Sequence, residues 1–279
     1  MIEILQQRLD SYKTTNPVEE EQATREIFQE VALYALWRAD FFEVAAFQGG
    51  TSLRILHGLP RFSEDLDFIL KTPDSEFQWS PYLEKLLTGL LEFGLHSEAI
   101  DKSRMDQNVK RALLKDNSVS NQLDLSFDRD HLSRKLRIKL EIDINPPDGS
   151  GFDYSYLDFP LDFEACHQDL PSNYSLKIHA LLCRPYLKGR DWYDFNWYVK
   201  KGLHPNLTHL QAALYQHGPW QGQSITIDPS WVKSALTEKI TTIDWSEAVA
   251  DVTRFLSVTE QQSLKLWSKR FFLNKVERI

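Results

Sequence analysis

Residues 47–70 read FQGGTSLRILHGLPRFSEDLDFIL, and this stretch decides the fold. Val44 to Phe47 is a short apolar run ending at Gly49-Gly50, as a buried strand ends at a turn. Thr51 can cap a brief helix through His57, and Gly58 can end it in the left-handed conformation that glycine adopts without strain. Phe62 to Leu70 is then expected to be a second strand. Residues two apart on a strand point to one side, so Asp65 and Asp67 would converge.

Two carboxylates opposite a glycine turn suit one chemistry in particular. Free N–H groups opening a helix bind phosphate oxygens, and glycines allow the backbone to come close. Carboxylates hold a hard divalent cation such as magnesium, which keeps several waters and needs only two or three acids. In nucleotidyl transfer an incoming oxygen attacks the α-phosphorus of a nucleoside triphosphate and pyrophosphate leaves. Catalysis there is mostly positioning and charge neutralisation. Asp65 and Asp67 supply two metal ligands, and the third is expected from a neighbouring strand. Leu136 to Asn145 alternates clearly, with Leu136, Ile138, Leu140, Ile142 and Ile144 on one face and Arg137, Lys139, Glu141 and Asp143 on the other. Either Glu141 or Asp143 could complete the set. Gly49, Gly50, Thr51 and Ser52 would take the triphosphate, with Arg54, Arg61 and Ser63 near enough to add charge or hydrogen bonds.

The remaining organisation follows from periodicity and caps. Asn16-Pro17-Val18-Glu19-Glu20 is a helix start that should run to about Arg38. Pro81 to Phe93 has helical spacing, and Asn108 to Lys115 reads as a strand. Pro146-Pro147-Asp148-Gly149 ends the alternating strand. Residues 151–170 are loop or short strands, and how 98–130 join the core is left open. From Ser172 onward the segments 172–184, 190–201, 206–217, 229–240, 245–256 and 259–277 are all helical in spacing. The chain therefore divides into an α/β core over 1–165, with an N-terminal helix, and a helical C-terminal half over 166–279.

Composition narrows the classes. A chain of 279 residues, 42% hydrophobic and 26% charged, is an ordinary globular sequence with enough length for a sizeable core. The formal charge of −8 gives no global pull toward nucleic acid, although Lys265, Lys269, Arg270, Lys275 and Arg278 make the last segment basic. Two cysteines without paired spacing fit a reducing compartment. The segment MIEILQQRLDSYK carries no apolar run of signal-peptide length, and Val31 to Trp37, the longest such run, is too short to span a bilayer. A cytoplasmic protein with no membrane partner is expected. The phosphate-loop, dinucleotide-fingerprint, zinc-protease and serine-elbow motifs do not occur.

Four segments, GGTSLR, LPRFSEDLDF, KLEIDINPP and LKIHALLCRPYLKGRDWYDF, occur in an order that resembles the AbiEii/AbiGii toxin family of the nucleotidyltransferase superfamily. The resemblance covers residues 30–200, and beyond 202 it rests on helicity alone. It implies a polymerase-β-like fold of the MNT type, with a mixed-sheet core, and a bacterial toxin–antitoxin role close to the MenT-like toxins. Such toxins transfer nucleotides from NTPs, and some act on the 3′ end of tRNA. By motif, Asp65 and Asp67 would bind Mg2+, or Mn2+ in its place, beside Glu141 or Asp143. Lys177 would contact the triphosphate, Arg190 would join the nucleotide-binding set, and Asp191 would be a further catalytic acid. The implied partners are a cognate antitoxin of the DNA-binding AbiEi type and an RNA acceptor.

Plainer readings compete at each position. Lys177 also reads as a solvated lysine on a helix capped by Ser172 and ended by Pro185. Asp191 reads as a first-turn acid favoured by the helix dipole, and Arg190 as a partner for Asp194. Trp192, Phe195, Asn196 and Val199 have the spacing of an inward face, although Trp192 and Tyr193 could stack a base. Two other functions compete with the toxin reading. One is a nucleotidyltransferase acting on a protein or small molecule, and the other is a silent nucleotide-binding regulator.

Overall fold

The computed structural model describes residues 2–104, 107–127 and 136–279. They fall into two compact units. One comprises Met1–His57, Ser63–Pro146 and Tyr154–His167, and the other Gly58–Phe62, Pro147–Asp153 and Gln168–Ile279.

The first unit is an α/β assembly. Its elements are α1 (Ile2–Ser11), α2 (Pro17–Arg38), α3 (Phe41–Val44), β1 (Ala45–Gln48), α4 (Gly49–His57), β2 (Leu66–Leu70), α5 (Ser80–Glu92), β3 (Ser97–Asp101), β4 (Val109–Asp116), α6 (Val119–Gln122), β5 (Leu136–Asp143), β6 (Phe152–Leu157) and β7 (Phe163–Gln168). Helix α2 begins as its sequence predicts: the Asn16 side chain accepts from the Glu19 N–H at 3.0 Å, with Pro17 in first position. From Ile27 to Leu36 every residue is buried, so this is a central helix rather than a surface one. It meets α5 at Gly89, where an added Cβ would stand 2.8 Å from the Ala35 Cβ. Phe41 stacks on Trp79 at 5.4 Å and meets Phe68 of β2 edge-on at 4.9 Å. Burying each such ring contributes roughly 1.5–3 kcal/mol, which fixes β2 firmly.

The strands form one mixed sheet in the order β3-β4-β5-β2-β1-β7-β6. β1 runs antiparallel to β2 and parallel to β7, while β2 runs parallel to β5 and β4 antiparallel to β5. β5 alternates as expected, with Leu136, Ile138, Leu140 and Ile142 all buried. The middle region joins this same sheet through β3 and β4, and residues 105–106 and 128–130 lie outside the described residues.

Two local expectations need correction. Strand β2 begins at Leu66, not at Phe62. The carbonyls of Ser63 and Glu64 accept from Gln29 Nε2 at 3.0 and 2.9 Å, and that of Asp65 accepts from the Thr51 hydroxyl. Side chains therefore satisfy this backbone where a ladder partner would otherwise be needed. The helix after β1 starts at Gly49, two residues before Thr51.

The second unit is helical: α7 (Leu170–Cys183), α8 (Gly189–Lys200), α9 (Leu207–Gln216), α10 (Pro229–Thr241), α11 (Trp245–Thr253), α12 (Val258–Gln261), a 3₁₀ turn (Gln262–Leu266) and α13 (Lys269–Val276). Asp169, not Ser172, caps α7, accepting from the Ser172 N–H at 2.7 Å. The helix ends at Cys183, just before Pro185. The expected helix over 259–277 is broken into three pieces. Trp267 turns extended, and Ser268 caps α13 afresh by accepting from the Phe271 N–H. An aromatic cluster binds these pieces to α8 and α11: Trp245 stacks on Phe272 at 4.3 Å, and Trp192 meets both edge-on at 5.2 and 5.3 Å. Among the described residues no helix is long and apolar enough to cross a membrane.

Candidate active site

In the first unit, register brings the acids together. Gln48 on β1 pairs with Asp67 on β2, and Asp67 pairs with Glu141 on β5. Gln48, Asp67 and Glu141 thus form a row across three adjacent strands. Gly49 follows Gln48 with φ +76°, and an added Cβ would lie 2.8 Å from Asp67 Oδ2. Only glycine fits there. Asp65 sits just before β2, beside Lys139 of β5.

Cations that sequence reasoning had not assigned to the site meet these acids. The Lys139 ammonium lies 3.4 Å from Asp65 Oδ2 and 4.0 Å from Glu141 Oε1. Burial opposes its charge, yet Asp65, Glu141 and Asp67 together hold it above the usual lysine range. Arg111 of β4 donates to Glu141 Oε1 at 2.7 Å. Lys139 was visible on the polar face two residues before Glu141, whereas Arg111 requires the β4–β5 register (Arg111 opposite Glu141), which no local pattern encodes.

The donor set fits a hard divalent ion in kind, being all carboxylate oxygen, and one ammonium already stands among the three acids. Among the described residues, however, no three acidic, histidine or cysteine side chains surround a single metal position. Lys139 would have to yield for a metal to enter. Asp143 lies one pleat further along, opposite Ile69, and burial pushes its carboxyl up. The register thus puts Glu141, rather than Asp143, next to Asp67.

The hydroxyls of the glycine turn are directed inward. Thr51 and Ser52 are buried, Thr51 donating to the Asp65 carbonyl and Ser52 to the Gly49 carbonyl at 3.0 Å. They brace the turn instead of offering donors outward, which leaves its backbone N–H groups as the turn's remaining donors. Ser63 is likewise buried.

The second unit holds a separate cluster of charges. Arg61 donates twice to Asp194, from Nε and Nη2, each at 2.6 Å, and both residues are buried. This fork-to-carboxylate pair places the expected nucleotide contact Arg61 on Asp194. Lys177 reaches Asp194 Oδ2 at 2.8 Å and Asp191 Oδ1 at 3.3 Å, and Arg184 Nε lies 3.4 Å from Asp191 Oδ2. Lys177 and Asp191 are thus brought together, and Lys177 is no solvated surface lysine. Burial alone would raise both aspartates, but Lys177 with Arg184 at Asp191, and Arg61 with Lys177 at Asp194, hold them below the usual carboxylate range. Burial, together with the nearby Lys177, Arg190 and Arg184, pushes Lys188 down. The Arg190 guanidinium lies 4.1 Å from the Phe255 ring centroid.

The mixed sheet thus carries a glycine turn closed on a strand carboxylate. Residues 31–273 match the family model described as "Nucleotidyl transferase AbiEii toxin, Type IV TA system", and the chain belongs to that family. Two solved structures from Helicobacter pylori are similar. One, described as a candidate nucleotidyltransferase, is 15% identical with a TM-score of 0.48, over 91% of this chain and 95% of that one. The other, JHP933, is 16% identical with a TM-score of 0.47, over 90% and 94%. No curated protein matches the chain.

Proposed function

We propose that this chain is a magnesium-dependent nucleotidyltransferase toxin that moves a nucleotide from an NTP to an RNA acceptor, the tRNA 3′ end foremost, and releases pyrophosphate. One observation carries the reading: Asp67 and Glu141 sit side by side in register, with Gly49 pressed against the Asp67 carboxylate. Asp65, Asp67 and Glu141 would hold the metal, Mg2+ or Mn2+, which when bound supplies charge neutralisation at the phosphates. The backbone N–H groups of the Gly49-Gly50-Thr51 turn would bind phosphate oxygens. In the second unit, Lys177 would contact the triphosphate and Asp191 would serve as the further acid, the two already being partners at 3.3 Å. A cognate antitoxin of the DNA-binding AbiEi type would hold the toxin in check in the cytoplasm.

The test is incubation with Mg2+, labelled NTPs and tRNA. Label should enter the RNA, and Asp67→Asn should abolish it. Incorporation into protein or a small molecule alone would replace the acceptor, and no incorporation into any acceptor would overturn the enzyme reading. A second reading, a silent nucleotide-binding regulator, is favoured by one observation: Lys139 and Arg111 already neutralise the acids. Nucleotide binding without turnover would support it.

A further inference from the structure

Strands β4 and β5 present one face to solvent. In their antiparallel ladder Arg111 stands opposite Glu141, Leu113 opposite Lys139 and Lys115 opposite Arg137, and directly opposed residues share a face. The intervening Ala112, Leu114, Ile138, Leu140 and Ile142 are buried on the other face. Arg111, Arg137 and Lys139 are exposed, and Lys115 is half-buried. The same face continues onto β3, where Glu98 lies opposite Lys115 and the exposed Ile100 opposite Leu113. In the other direction it runs through the Glu141–Asp67 pairing into the row of acids.

The cations on this face rise in rows toward those acids. Lys115 and Arg137 make the first row, Lys139 the second, and Arg111 the third, beside Glu141 and Asp67. Rows lie two residues apart, about 6.7 Å along the strand. That step is close to the separation of neighbouring phosphates on one nucleic-acid strand. Arg111 and Lys139 are paired with Glu141 and Asp65. Among the described residues Lys115 and Arg137 enter no ion pair, although they are direct cross-strand neighbours. Opposed like charges on paired strands cost stability, and a chain of net charge −8 keeps two of them here. An anion lying over both would offset that cost.

We propose that this face carries the acceptor RNA strand, a placement that rests on the nucleotidyl-transfer reading. Successive phosphates lie over the Lys115–Arg137, Lys139 and Arg111 rows, and the 3′ end reaches Asp65 and Asp67. The face suits a nucleic-acid backbone better than a protein. Protein interfaces concentrate aromatic side chains at their centre, whereas the apolar residues of these three rows on β3, β4 and β5 are Ile100 and Leu113. Nucleic-acid interfaces are more polar and far more positively charged. A face with cations and no ring to stack a base holds phosphates and is indifferent to sequence.

The test needs no turnover. A fluorescein-labelled RNA hairpin with a single-stranded 3′ tail is titrated by anisotropy, without NTP, against wild type, Lys115→Glu, Arg137→Glu and the milder Lys115→Gln and Arg137→Gln. Each glutamate should weaken binding about tenfold, and each glutamine less. Each lost contact should lower the slope of log affinity against log salt by about 1. Lys85→Glu, the same charge change at an exposed position of α5, should leave affinity unchanged. No binding by wild type, or binding that all four variants leave at the wild-type level, overturns the proposal. Polyglutamate binding tighter than RNA, with the same dependence on Lys115 and Arg137, assigns the face to an acidic protein and overturns it too. Asp67→Asn should lose incorporation and keep RNA binding. Incorporation by wild type, with variants that bind RNA normally, defeats this placement alone; variant-sensitive binding without incorporation defeats the enzyme reading alone.

Discussion

Gly49 and Asp67 leave no room between them for a methyl group, since a Cβ on Gly49 would stand 2.8 Å from Asp67 Oδ2 at a backbone φ of +76°. Gly49→Ala therefore meets two separate penalties, a left-handed backbone and a clash. The expected loss is about 1–3 kcal/mol of stability, measured by urea denaturation. Combining it with Asp67→Ala should recover the steric part and leave the backbone part. Purely additive losses would show that the contact does not exist.

Arg61 and Asp194 form the tightest ion pair of the second unit, two bonds of 2.6 Å between buried groups. Asp194→Asn should cost about 3–5 kcal/mol, because Arg61 would be left buried without its carboxylate and Lys177 with Asp191 alone. The pH dependence has a definite sign. Burial would raise Asp194, but Arg61 and Lys177 hold its folded-state pKa below the unfolded value. The contribution is thus complete above about pH 4 and is lost as pH falls through the lower folded value. Wild type should decline steeply on that acid limb, and Asp194→Asn should decline less. Parallel acid limbs would refute the assignment.

Much of this was legible in the residues. The start of α2 at Asn16-Pro17, the alternation of β5 and the strand–glycine–helix–strand order around Gly49 are local signals, and each appears in the structure. What escaped was non-local. Nothing near Phe62 announces that Gln29, over thirty residues earlier, will take the Ser63 and Glu64 carbonyls and end the strand early. The pairing of Arg61 with Asp194 could not be read locally, because the two lie 133 residues apart. The break at Trp267 was hidden because the helical spacing continues through it, while the aromatic cluster around Phe272 decides the chain path.

Phe272 lies at the centre of that cluster, fully buried and touching Trp245, Trp192 and Trp267. Phe272→Ala should cost about 3–5 kcal/mol by denaturant titration. Quenching and spectral shifts of the tryptophan emission should accompany the loss in the folded state. A change under 1 kcal/mol, set against that range, would mean that α13 contributes little to the second unit.

Lys139 and Glu141 supply the sharpest test of the metal assignment. Glu141 lies directly opposite Asp67, whereas Asp143 faces Ile69, so the third ligand should be Glu141. In Mn2+ titrations followed by electron paramagnetic resonance, Glu141→Gln should weaken binding about tenfold or more, and Asp143→Asn should weaken it far less. Lys139→Met should act in the opposite direction. Its ammonium lies 3.4 Å from Asp65 Oδ2 and competes for the oxygens a metal would use, so its removal should tighten Mn2+ binding. The charge balance supports the same sign: three carboxylates with Arg111 as the remaining cation attract a divalent ion more strongly than the same set with Lys139 present. If Lys139→Met instead weakens Mn2+ binding, the lysine orders the acids rather than competing with the metal, and its contact with Asp65 belongs to the metal-bound state as well.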